Sequence, residues 1–246
     1  MAKKKKKRNT MKNTQQQKKQ QSNVPAILFF SISGVVIVAF LIFFAMNSGN
    51  DSTQNVANEE PLEYEFTYEG QPSIGDEDAP IKIAEFGDYS CSHCKDFHDV
   101  VYPEIKKDFI DTGKVQFFFI NFPFIDDDSV NIAKGGEAVF AQNKDAFWDY
   151  HDLVYQQEQR EEQWATNDVL TELVADNLPH IDADQFKEDL ENNAQISAIN
   201  EDLTIVKEAG ITSTPTMFIN GKEFKQWYDY KAVKEEIERL LENEEQ

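Results

Sequence analysis

The sequence predicts an α/β protein in which a partly parallel sheet is interrupted by an all-helical insertion and preceded by one N-terminal transmembrane helix. Three observations carry this. Residues 81–121 read as strand, helix and strand, the order of a βαβ unit. Residues 129–210 hold helical patterns and no persuasive strand, and strand signals return only at Thr216. Val24 to Met46 is an uncharged apolar stretch, long enough to cross the hydrocarbon core as a helix of about 20 residues.

The N-terminal elements divide by charge. Lys3 to Lys7, Arg8, Lys12, Lys18 and Lys19 all precede or flank the apolar stretch, with no acidic residue before Asp51. Lysine-rich flanks stay cytoplasmic, so the following domain is expected outside the membrane. A cleaved signal peptide is the rival reading. Its apolar core would be shorter and would end in small residues of A-x-A type, which Phe44, Ala45 and Met46 do not supply. The expected organisation is a basic cytoplasmic tail at 1–23, an anchor at 24–46, a polar linker at 47–60 and a domain at 61–246, with the helical insertion at about 128–210. The formal net charge is −21. With the nine N-terminal cations set apart, the rest of the chain carries about −30, a balance that repels phosphate backbones and excludes nucleic acid as a partner.

Within the domain, Ile81, Ile83 and Phe86 in IKIAEFGDYS mark a mostly buried strand that leads into CSHC. Phe97, Val101, Ile105 and Phe109 then recur at helical spacing with Pro103 among them, which predicts a kinked helix. KVQFFFIN, Lys114 to Asn121, is the second strand, and Pro123 ends it. In the insertion, Thr166 to Asp168 offer an N-cap for a helix from Val169 to Leu178, and Asp182 or Asp184 offers another for the stretch with Phe186 and Leu190. Trp148, Tyr150, Tyr155 and Trp164 are read as core or interhelical packing rather than a ligand surface. TMFI, Thr216 to Ile219, is a strand, Asn220 and Gly221 form a hairpin turn into Lys222 to Lys225, and an amphipathic helix from about Tyr230 to Leu241 covers the sheet.

The chemistry rests on the chain's two cysteines, Cys91 and Cys94. Two cysteines placed at random fall three apart in about one chain in a hundred of this length, so the spacing is informative. Here the pair also follows a strand and opens a helix. The first turn of a helix brings residues three apart close enough for a disulfide, and its free N–H groups and dipole favour a thiolate at the first cysteine. Cys91 is therefore the expected nucleophile and Cys94 the resolving thiol, with His93 adding positive charge or a hydrogen bond beside the thiolate. Two other readings compete. A structural disulfide over so short a loop would stabilise little. A zinc site built from Cys91, Cys94 and His98, with His151 or His180 recruited, lacks the usual second short pair of ligands.

EFGDYSCSHC after a strand, FFFINFPF, the helical stretch with GGEAVFAQ, and GITSTPTMFING together resemble the DsbA-like thiol-disulfide oxidoreductases, in particular the membrane-anchored BdbD type of Gram-positive bacteria. The resemblance spans most of the chain after Pro61. It implies a thioredoxin fold split by a helical domain, with Cys91 attacking and Cys94 resolving. It also implies that Pro215 is a cis-proline facing the disulfide, that Thr214 and Pro215 align the substrate backbone, and that Glu85 is a buried acid near the pair, serving as a proton relay for Cys94. Between the cysteines stand Ser92 and His93, where the best-known member of the family has Pro and His.

The expected activity is dithiol-disulfide exchange that introduces disulfide bonds into reduced secreted or membrane proteins, with the Cys91–Cys94 pair as the only redox centre and no organic cofactor. A DsbB-like membrane quinone reductase is the implied reoxidant. A reductase or isomerase would use the same residues in the reverse sense, and a membrane-tethered binding or chaperone module is the reading from another class. Asp126 to Asp128 form an acidic loop that is either solvated or a structural calcium site.

Overall fold

The computed structural model describes residues 60–157 and 163–244. The basic tail, the anchor expected at Val24 to Met46 and all of the linker except Glu60 lie outside them. Among the described residues, no helix is long and apolar enough to cross a membrane.

Two strands rich in apolar residues form the middle of a five-stranded sheet. β2 (Ile81–Gly87) and β3 (Val115–Asn121) pair in parallel, with Ile83 opposite Phe117 and Glu85 opposite Phe119. β1 (Ser73–Ile74) adds antiparallel to β3, β4 (Thr216–Ile219) adds antiparallel to β2, and β5 (Lys222–Glu223) closes the far edge, giving the order β1-β3-β2-β4-β5. Every residue of β3 is buried, as expected of a strand covered on both faces. Strand side chains alternate, so Ile81, Ile83, Phe117, Phe119, Met217 and Ile219 enter one core. Ala84, Phe86, Phe118, Ile120 and Phe218 enter a second core on the other face. Glu85 is thereby aimed at the same face as Ile83, toward the helix that carries the cysteines.

That helix starts as α1 (Ser92–Asp96), widens into a π-helical segment (Phe97–Val101), returns to α2 (Tyr102–Ile105) and widens again (Lys106–Ile110). The first wide segment stands just before Pro103, which has no N–H for the ladder and whose ring crowds the preceding turn. The expected kink thus takes the form of extra residues in the turns. Phe97, Val101, Ile105 and Phe109 all face the first core.

Between β3 and β4 the chain is helical: α3 (Asp127–Gln142), a short 3-10 turn (Lys144–Ala146), α4 (Phe147–Tyr155), α5 (Asn167–Asn177), α6 (Ala183–Asn192) and α7 (Ile196–Glu208). Thr166 caps α5 by accepting from Val169 N, and Asp182 caps α6 by accepting from Asp184 N and Gln185 N. Trp148, Tyr150 and Tyr155 are buried in the first core, and Trp164 packs against it. α7 crosses to the opposite face, where Val206 joins the second core together with an aromatic strap of Tyr64, Phe66 and Tyr68. Asn220 and Gly221 turn β4 into β5 with φ of 48° and 81°. A Cβ on Gly221 would stand 2.7 Å from Tyr64 O, so the turn demands glycine twice over. α8 (Tyr230–Glu244) buries Val233 and Ile237 against the sheet.

Candidate active site

The loop leaving β2 places the first cysteine at the boundary between extended and helical backbone. Cys91 is the N-cap of α1, with φ −77° and ψ 120°. Its N–H donates to Asp88 O at 3.0 Å, and its carbonyl accepts from Lys95 N at 3.1 Å. A sulfur therefore stands where a capping oxygen would stand, facing a helix end whose first N–H groups lack intrahelical partners. Both cysteines are free thiols in this structure. They differ sharply in surroundings: Cys91 retains 9 % of its surface, and Cys94, one turn deeper, retains none.

The electrostatics follow from that difference. The Cys91 thiol is pulled down to about 5, chiefly by the hydrogen bond that Cys94 donates to it. Burial opposes this, while the Thr214 side chain and the backbone N–H groups of Cys94 and His93 reinforce it. In its protonated form Cys91 donates instead to Thr214 O at 3.4 Å, a carbonyl that offers a thiolate nothing. Cys94 is held far above the ordinary thiol range, first by burial, then by its hydrogen bond to Cys91 and by the nearby Glu85. Glu85 is 3 % exposed, and its Oε1 has no hydrogen-bond partner. Burial, and secondarily the charge on Cys91, pushes its carboxyl up to about 8. A buried, unsatisfied carboxyl is costly unless it stays protonated.

The remaining residues singled out by sequence fall into place around this pair or away from it. The Thr214–Pro215 peptide is cis, and Pro215 is buried. The His93 imidazole lies in solvent with 69 % of its side chain exposed and Nδ1 3.7 Å from Asp96 Oδ2. What His93 gives Cys91 is its backbone N–H. His98 Nε2 is 2.8 Å from Asp152 Oδ1, His151 Nδ1 is 3.0 Å from Tyr89 Oη, and His180 is on the surface. These rings are occupied or remote.

The acidic loop at Asp126 to Asp128 is tied into the protein by hydrogen bonds. Asp126 caps α3 by accepting from Ser129 N at 2.8 Å, and Asp128 accepts from Trp164 N and Ala165 N at 3.1 and 3.2 Å. Hydrogen bonds within the protein thus draw two of the three carboxylates to different partners. Among the described residues, no group of three or more His, Cys, Asp or Glu side chains is arranged to hold a metal ion.

One residue of the site escaped the sequence reading. Asp88, 1 % exposed, accepts at Oδ1 from Ser90 N and Ser129 Oγ (2.8 and 2.6 Å) and at Oδ2 from Phe124 N and Ile125 N (2.9 and 3.1 Å). The signal available was an Asp two residues before a Ser in a strand-to-helix loop, the pattern of an Asx-turn.

Comparison with known proteins agrees with this architecture. Residues 67–239 match the family described as Thioredoxin. A probable disulfide bond formation protein D of Bacillus cereus is 34% identical over 213 residues, covering 86% of this chain and 94% of the relative. The disulfide bond formation protein D of Bacillus subtilis is 38% identical over 173 residues, covering 70% of this chain and 78% of the relative. The crystal structure of oxidised BdbD from Bacillus subtilis superposes with a TM-score of 0.70 at 34% identity, covering 75% of this chain and all of that one. With a strand-to-helix cysteine pair, a sheet of mixed direction and a helical segment inserted before the cis-proline strand, the chain belongs to the DsbA-like thiol-disulfide oxidoreductases of the thioredoxin family, on the disulfide bond formation protein D branch.

Proposed function

We propose that this protein is a membrane-tethered, extracytoplasmic oxidase that introduces disulfide bonds into reduced secreted or membrane proteins. The asymmetry of the two sulfurs carries this reading: Cys91 is partly accessible and ionises at about 5, whereas Cys94 is buried and holds its proton. In the oxidised enzyme a substrate thiolate attacks Cys91 Sγ. The Cys91–Cys94 bond breaks, its electron pair goes to Cys94, and Cys94 takes up a proton, for which Glu85 is the nearby donor. A second substrate thiolate then attacks the substrate sulfur of the mixed disulfide, and Cys91 leaves as a thiolate. A low-pKa thiol leaves fast and makes the disulfide a strong oxidant, which favours the oxidase over a reductase using the same pair. Thr214 and Pro215 border Cys91 and line the path of the substrate backbone. Exposed Phe124 and Ile125, held by Asp88, offer apolar contacts to an unfolded chain.

The dithiol left behind has to be reoxidised from outside, because the chain has no second pair of cysteines. An anchor at Val24 to Met46 would hold the domain beside a DsbB-like membrane quinone reductase, which accepts the two electrons. Cys94→Ser should accumulate mixed disulfides with substrate proteins, since the internal resolving thiol is gone, and Cys91→Ser should accumulate none. Equal trapping by both variants would reverse the assignment of the sulfurs. Alkylation of cell extracts with a mass-shifting thiol reagent should find the pair mainly oxidised and becoming reduced when the membrane partner is deleted. A pair mostly reduced in unperturbed cells would favour the reductase, and an oxidised pair indifferent to the deletion would dispense with the partner.

A further inference from the structure

We propose that Asp88 is a positioning residue for Cys91, its buried carboxylate latching the cysteine loop to the start of the inserted helices and thereby holding the sulfur against the amides of the first helical turn. The inference rests on the reading of Cys91 as the attacking thiol. Each oxygen of Asp88 accepts twice, and the four donors come from three places. Ser90 N belongs to the loop that carries Cys91. Phe124 N and Ile125 N belong to the segment after β3. Ser129 Oγ belongs to the first turn of α3. The backbone of the same residue meets both cysteines: its carbonyl accepts from Cys91 N at 3.0 Å, and its N–H bonds to the Cys94 sulfur. A second strand of the latch runs beside the first, because Asp126 Oδ1 accepts from Ser90 Oγ and from Ser129 N, both at 2.8 Å.

The reason for a carboxylate at this position is acceptor number. An ionised Asp presents two oxygens with about four acceptor sites and no donor, matching the four donors here. Asparagine has nearly the same shape but brings an NH2 group either against the N–H groups of Phe124 and Ile125 or against the Ser90 N–H and the Ser129 hydroxyl, which can turn to accept. The Ser90 N–H bond is lost in one orientation and both the Phe124 and Ile125 N–H bonds in the other, and the loop carrying Cys91 shifts relative to the amides of His93 and Cys94.

A negative charge this close to the pair makes the test decisive, since the two roles open to Asp88 have opposite signs. Removing the charge alone would lower the Cys91 pKa by relieving repulsion of the thiolate. Removing the positioning would raise it, because thiolate hydrogen bonds are lost. The ionisable side chains coupled to Cys91 are Cys94 on its own helix, which acts on its thiol, and, across the site, Glu85 on β2, whose carboxyl the Cys91 charge raises. Both remain in the variants.

The experiment is a thiolate absorbance titration of reduced wild type, Asp88→Asn, Ser129→Ala and a control, Asp202→Asn. The control breaks a buried bond network at Asn121 instead. Wild type should titrate near 5. D88N should titrate about one unit higher, with a tenfold loss of thiolate at pH values below the midpoint, and its reduction potential should move in the reducing direction. S129A, which removes one of the four donors, should move the same way by less, and D202N should stay with wild type whatever its loss of melting temperature. A D88N midpoint equal to or below that of wild type overturns the positioning role, as does an upward shift of equal size in D202N. A wild-type midpoint above 8 instead overturns the assignment of Cys91, which keeps the two failures distinct.

Discussion

At the scale of single residues, the site is built from two groups with opposite pKa displacements. For Cys91 the folded value lies below the unfolded thiol value of about 8.5. The stabilisation of the folded dithiol is thus full above about 8.5, shrinks as pH falls and is gone below about 5. The disulfide form has no such contribution. Each pH unit corresponds to at most about 1.4 kcal/mol, less after the screening that partial exposure brings. The melting temperature of reduced protein relative to oxidised protein should therefore rise by a few degrees per unit between pH 5 and 8. Paired melts that stay parallel across that window would show that the thiolate is not stabilised in the fold. Glu85 has the opposite sign. Its folded value, about 8, lies above the unfolded value of about 4.3, so burying it becomes steadily more costly from pH 4 to 8. Glu85→Gln should match wild type near pH 4 and exceed it by on the order of 2–3 kcal/mol at pH 7. Because Glu85 is protonated where Cys91 titrates, the Cys91 midpoint should stay near 5 in this variant while oxidation of the dithiol slows. Denaturant unfolding at the two pH values, together with stopped-flow oxidation, checks both halves.

At the scale of elements, α3 shows why two adjacent glycines stand in the middle of a helix. Glycine there costs about 1 kcal/mol relative to alanine. A Cβ on Gly135 would lie 2.3 Å from Tyr150 Oη and 3.2 Å from Phe186 Cζ, and Tyr150 Oη donates to Ile132 O at 2.9 Å. The glycine lets α4 approach α3 closely enough for the tyrosine to reach that carbonyl. On Gly136 a Cβ would approach the edge of Phe147 at 3.2 Å and meet the Tyr150 ring at ordinary contact distances of 3.6 and 3.7 Å. Gly135→Ala should destabilise the fold by about 1–3 kcal/mol, overpacking outweighing the gain in helix propensity, which lowers the melting temperature by about 3–10 °C. Gly136→Ala should stay within about 1 kcal/mol of wild type. Equal melting of the two variants would mean that the α3–α4 contact yields without cost.

At the scale of the whole molecule, the inserted helices are fastened to the sheet by buried polar groups as well as by the shared core. Asn121, the last residue of β3, donates its side-chain amide to Glu137 Oε1 of α3 at 2.9 Å and to Asp202 Oδ2 of α7 at 3.0 Å, and its backbone N–H to Asp202 as well. Burial pushes Glu137 up to about 8 and Asp202 up to about 6, and the Asp202 charge adds to the rise at Glu137. Asn121→Ala leaves both carboxyls without the amide between them and should cost about 2–4 kcal/mol at pH 7. The cost should be smaller at pH 5, where Asp202 is protonated and the amide bonds lost are to a neutral acceptor rather than a carboxylate. Denaturation at both pH values measures the difference, and a pH-independent loss would show that the pair stays neutral throughout.

The sequence by itself determined the elements whose signal is local. Alternating and continuous apolar runs placed β2, β3 and β4. The Asn220–Gly221 dipeptide placed the hairpin, Thr166 and Asp182 placed two helix starts, and the spacing of Cys91 and Cys94 after a strand marked the candidate redox pair at a helix start. Each follows from backbone geometry within a few residues. The tertiary structure decided what depends on residues distant in the chain. Whether Glu85 faces the cysteines or solvent is a matter of strand phase against helices that a single strand cannot reveal. The two-residue β1 exists only because β3 offers it an edge. Asp126 and Asp128 serve as helix and loop acceptors, because their backbone donors lie at Ser129, Trp164 and Ala165. The Cys91 loop, finally, is held by Asp88 through donors up to 41 positions away, and hydrogen bonds at that separation leave no periodic trace in a sequence.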